Sequence, residues 1–101
     1  MIKTTPSLEI EAAIEAWLDA QAHALGYASM DRAATYAAST HPVFGAEARA
    51  LVACRDAAWV DYFSLLVAVA EGARKMPTAD EFVATLQLPD TPGPGPVGPA
   101  P

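Results

Sequence analysis

The sequence predicts an all-α fold: a small helical bundle around one long central helix, with a short C-terminal helix and an extended Pro/Gly-rich tail. Residues 46–71, bounded by Gly45 and Gly72, are the one segment long and apolar enough to be a domain's spine. Residues 6–25 repeat apolar side chains at helical spacing between a start and a stop signal, and residues 78–81 read as a helix-opening capping box. The expected organisation is an N-terminal arm (1–5), a helical domain (6–88) and the tail (89–101).

The first helix is expected over 6–25. Thr5 is its N-cap, Pro6 suits the first helical position, and Glu9 and Glu11 complement the positive end of the helix dipole. Ile10, Ile14, Trp17, Leu18 and Leu25 line one face, and Gly26 stops the helix. A short Ala-rich helix is expected over 30–39 with Ser29 as N-cap, ending before His41-Pro42 because the residue preceding proline avoids helical geometry. Pro42 to Gly45 lead into the spine.

Within the spine, steps of 100° place Ala48, Leu51, Arg55, Ala58, Trp59, Tyr62, Leu66 and Val69 on one stripe. The opposite side is polar at first, with Arg49 and Asp56, and turns apolar near Val60 and Val67, with Phe63 on its flank. A helix apolar on two sides must be covered on both. Either the first and last helices pack on different faces, or one face meets a second chain. Gly72 ends the spine, and a last helix is expected over 79–87 with Phe82, Val83 and Leu86 on one face before Leu88-Pro89 stops it. The final thirteen residues lack the large side chains needed for a core. Extended as polyproline II they reach roughly 40 Å at ~3.1 Å per residue. They are either a disordered end or an arm laid along a neighbouring subunit.

Composition narrows the function. Hydrophobic residues make up 52% of the 101, but many are Ala, so the core leans on Ile10, Ile14, Trp17, Leu18, Leu51, Trp59, Tyr62, Phe63, Leu66 and Phe82. A chain this short buries only roughly 60–65% of its unfolded surface, which leaves room for support from a partner or a homo-oligomer. A net charge of −6 with six scattered basic residues argues against nucleic acid, whose phosphates need clustered Lys and Arg. The first residues hold no apolar run of signal-peptide type, and 57–70 is too short and carries Asp61, so no membrane insertion is expected.

No catalytic residue, cofactor site or metal site is expected. His23 and His41 lack any ligand pattern around them, and Cys54, His41 and Asp56 have no spacing that supports a nucleophile, base and orienting group. Cys54, alone in the chain, reads as a small buried hydrophobe. Arg55 falls on the apolar stripe one turn before Trp59. It is either a snorkelling side chain at the core's edge or a partner in an interface salt bridge, and Asp56, about 100° away, is not expected to pair with it. The candidate interface residues are Arg55, Trp59, Val60, Phe63 and Val67.

Gly26-Tyr27-Ala28-Ser29, Tyr36-Ala37-Ala38-Ser39, Phe44, Glu47-Ala48, Arg55-Asp56-x-x-Trp59, Gly72, Pro77 and Leu88-Pro89 follow one another in order. The ordered set, spanning 25–89, resembles small proteins that tailed bacteriophages and prophages encode in the tail or tail-fibre region. The Pro/Gly ending departs from the more aromatic ends of that group. The resemblance implies a structural virion protein of the tail, baseplate or fibre-attachment region, made in the host cytoplasm, with other tail or fibre proteins as partners. The alternative is a non-virion assembly chaperone for a tail or fibre protein.

Overall fold

The computed structural model of the chain describes residues 5–90, and every regular element among them is an α-helix. They are α1 (Thr5–Ala24), α2 (Met30–Ala34), α3 (Pro42–Ala70) and α4 (Ala79–Val83). The all-α class with a long central helix and a short C-terminal one is therefore correct. Residues 1–4 of the expected arm, 91–101 of the expected tail, and the Thr5 side chain read as the first cap lie outside the description.

Both long helices end on a glycine in the left-handed region, Gly26 at φ 94° and Gly72 at φ 75°. After α1, Tyr27 N–H donates to the Ala22 carbonyl and Gly26 N–H to that of His23. After α3, Ala73 N–H donates to Ala68 and Gly72 N–H to Val69. This paired arrangement satisfies carbonyls that a helix end leaves open, and it requires a residue without a Cβ penalty at positive φ.

The expected start of the spine is corrected. Gly45 is not a boundary but a buried residue within α3, which begins at Pro42. His41 caps it: its Nδ1 accepts from the N–H groups of both Val43 and Phe44 at 3.2 Å, and its ring stacks on Phe44 at 4.1 Å. Glycine is needed for space rather than for a turn, since a Cβ at Gly45 would run into the Ser39 carbonyl oxygen.

The two short helices are shorter than expected. After α2 the chain continues in tight turns, with Tyr36 N–H on the Ala33 carbonyl and Ser39 N–H on that of Tyr36. The Ser29 cap of α2 is present, its Oγ 3.0 Å from Arg32 N. The capping box of α4 is complete: Glu81 N–H donates to Thr78 Oγ1 and Thr78 N–H to Glu81 Oε1. Glu81, bonded this way, holds its carboxyl below the usual range. Past Val83, turn bonds such as Leu86 N–H to the Val83 carbonyl replace the helix.

α1 runs antiparallel to α3: its first turns reach Tyr62 near the end of α3, and Tyr27, just past its own end, reaches Phe44 and Glu47. It also packs against α2 and α4. Ile10, Ile14, Leu18 and Ala22, one turn apart, bury one α1 face against Leu51, Cys54, Ala58, Tyr62 and Leu65 of α3 and Phe82 of α4. Each fully buried Ile contributes roughly 1.5–3 kcal/mol.

The buried stripe of α3 is rotated from the expected one towards Cys54 and Leu65, leaving Trp59, Leu66 and Val69 half-buried. The cause is the C-terminal segment. Phe82 lies edge-on to Tyr62 at 6.3 Å, and the Gln87 carbonyl approaches Cys54, so the helix is covered from that side. Trp17 is also only half-buried, and Phe63, expected in the core, is 63% exposed.

Candidate interaction surface

The rotation leaves an uncovered face on α3. Val60 and Phe63 are each 63% exposed, and Val67, one turn beyond Phe63, is half-buried. These three side chains, separated by three and four residues, form one strip along the helix. Ala53, Ala57 and Ser64 beside them are exposed and small. Contiguous exposed apolar surface of this kind marks interaction sites, whereas scattered single side chains do not.

Arg55 and Trp59 lie on the flank of that face, not on it. With Glu15, Leu18 and Asp19 of α1 and Met30 and Asp31 of α2, they line a cleft of about 230 Å³. Trp59 meets Tyr62 edge-on at 5.6 Å. The expected pairing of Arg55 is corrected: its Nε and Nη2 both donate to Asp56 Oδ1 at 3.2 Å. Adjacent residues diverge by 100°, but the four-bond arginine side chain is long enough to bend back along the surface. An exposed pair of this type contributes roughly 0.2–1 kcal/mol. Of the five candidate interface residues, Val60, Phe63 and Val67 therefore share a face, and Arg55 and Trp59 border it.

On the other flank, Cys54, Ala57, Ala58 and Asp61 form with Leu86, Leu88 and Pro89 a cleft of about 460 Å³. Cys54 is buried as expected, its Sγ 3.5 Å from the Gln87 carbonyl, and burial pushes its thiol pKa up. A thiol held in that way is a poor nucleophile. His41 is thirteen residues away along the same helix, ~20 Å at 1.5 Å per residue, and its Nδ1 is engaged in the cap. The structure does not bring Cys54, His41 and Asp56 together. Among the described residues no three His, Cys, Asp or Glu side chains gather as metal ligands, and no helix is long and apolar enough to cross a membrane.

Two tyrosine–carboxylate contacts hold α3 at both ends. Tyr27 Oη donates to Glu47 Oε1 at 3.1 Å, and Glu47 is itself buried. Tyr62 Oη donates to Glu11 Oε2 at 2.6 Å and lies 3.2 Å from the Ser7 carbonyl. Desolvation first, then the neighbouring carboxylate, pushes each phenol up to about 12. The burial of Glu47 is not among the sequence expectations. Helical phase carries the signal, because Glu47 lies one turn before Leu51 and so faces inward.

No protein-family model matches the chain, and neither does any curated protein or solved structure.

Proposed function

We propose that the chain is a small structural component of a bacteriophage tail, in the baseplate or fibre-attachment region, and that it acts by burying the outer face of α3 against neighbouring protein. The observation that carries the interaction is the strip of Val60, Phe63 and Val67, which the remaining described helices leave uncovered. The phage setting is supported by the set of residues that follow one another in order between Gly26 and Pro89. Surface burial needs no reactive group, and a side-chain set made of packing residues, caps and paired carboxylates suits it.

Quantitative mass spectrometry of purified particles from a phage or prophage carrying the gene tests the setting. The expected result is the chain at fixed stoichiometry to known tail proteins. Presence in infected cells with complete absence from particles overturns the structural role and favours a transient assembly chaperone.

A further inference from the structure

The outer face of α3 carries a pattern complementary to itself when reversed. Val60 lies at its centre, and the two charged residues that bound the exposed strip, Arg49 and Glu71, lie eleven residues before and eleven after it. All three project from the same side of the helix, and all three are exposed. We infer that the occupant of this face is a second copy of the chain, with the two α3 helices antiparallel about a two-fold axis passing at Val60.

In that arrangement residue i meets residue 120 − i of the other copy, and the consequences are specific. Arg49 meets the second copy's Glu71, an opposite-charge pair that the symmetry makes twice. Arg49 donates to the Ala37 carbonyl through Nη1, and its guanidinium has four further N–H donors. Phe63, the largest exposed side chain on the face, meets Ala57, so a bulky group fits over a small one. Asp56, the one acid in the middle of the strip, meets Ser64, whose hydroxyl can donate to it.

Other alignments lose these matches. A parallel pair sets Asp56 on Asp56, Arg49 on Arg49 and Phe63 on Phe63. Sliding the antiparallel pair by seven residues in one direction sets Asp56 against Glu71, and in the other it leaves Glu71 opposite Pro42. Like charges facing across an interface suppress the wrong register. The same surface on both partners is what a two-fold dimer requires.

The strip from Arg49 to Glu71 is ~33 Å long at 1.5 Å per residue. One helix pair of that length falls at or below the roughly 1,200 Å² that stable interfaces bury, so the dimer dissociates on dilution. This inference rests on the proposed interaction role of the face but not on the phage setting.

Sedimentation equilibrium of the full chain from about 10 μM to about 1 mM tests it, with concentrations chosen for a weak dimer. The expected weight-average mass rises with concentration from 10.5 kDa towards twice that value. Glu71→Arg raises the dissociation constant roughly tenfold, and combining it with Arg49→Glu restores the wild-type value. Both positions are exposed, and circular dichroism and thermal unfolding of Arg49→Glu alone establish that losing its Ala37 contact leaves the monomer folded, so that the swap reads pairing. In a Cys54→Ser background, Val60→Cys forms a disulfide-linked dimer on oxidation. Ala53→Cys links efficiently to Val67→Cys and not to itself, since the two Ala53 positions lie ~21 Å apart. A wild-type chain monomeric at the highest concentration, a double charge swap that fails to restore, or self-linking of Ala53→Cys overturns the inference. A monomer found at fixed stoichiometry in particles sinks the dimer and leaves the virion role standing; a dimer absent from particles does the reverse.

Discussion

Glu47 is 3% exposed and receives the Tyr27 hydroxyl at 3.1 Å, so one phenol supports a carboxylate that has lost most of its water. Removing that donor leaves the acceptor buried without it, which costs about 1–3 kcal/mol, and more when the acceptor is charged. Tyr27→Phe is therefore expected to lower the unfolding free energy by that amount, seen as a lower urea midpoint at unchanged slope, with helical content unchanged at zero denaturant, as read by circular dichroism. If Tyr27→Phe is as stable as wild type, the contact carries no net energy. At this scale the sequence was partly legible. Cys54 as a buried hydrophobe and the caps by Ser29 and Thr78 follow from residue type and position. The Arg55–Asp56 contact does not, because backbone phase sets where a side chain starts and not where a long one ends.

At the scale of the element, α3 shows which boundary signals can mislead. Glycine before an apolar run reads as a boundary, yet Gly45 lies inside the helix, and it is glycine because the Ser39 carbonyl lies where a Cβ would stand. The true start depends on His41, an uncommon cap whose ring nitrogen does the work usually left to Ser, Thr or Asp. Gly45→Ala gains up to about 1 kcal/mol in helix propensity. Against that gain, the methyl must displace the 35–41 turn and the Arg49 side chain, a cost of typically 1–3 kcal/mol. Thermal unfolding is expected to show a net lower midpoint for Gly45→Ala, whereas a rise would mean that the turn yields freely. The shortness of α2 and α4 was not legible from local pattern, since alanine propensity and a good cap extend a helix only as far as tertiary packing allows.

For the whole molecule, the strip centred on Val60 was legible as an apolar second side, but its width depended on how the C-terminal segment rotated the buried stripe. That segment is distant in sequence, so helical periodicity alone could not choose between Phe63 in the core and Phe63 in solvent. The two tyrosine contacts also act at this scale and set a pH limit. Each phenol titrates near 10 in the unfolded chain and about 12 in the fold. Below pH 10 both states keep the proton and the contribution is fully present. Between about 10 and 12 the unfolded state releases protons that the fold retains, so stability falls as pH rises. Two such groups together are worth several kcal/mol, on the order of 2 each. In a Cys54→Ser background, which removes the buried thiol as a second source of alkaline destabilisation, denaturant unfolding followed from pH 8 to 11.5 is expected to show a flat midpoint to about 10 and a steep decline above it, with a weaker decline once Tyr27→Phe is added.

The same two contacts differ in the length of chain they enclose. Tyr27 to Glu47 spans 20 residues, whereas Tyr62 to Glu11 spans 51. Closing the longer loop costs about 0.8 kcal/mol more in chain entropy. The closure of lower entropic cost lies at the His41-capped end of α3, and making it first brings α1 alongside the helix along which Tyr62 must then find its carboxylate.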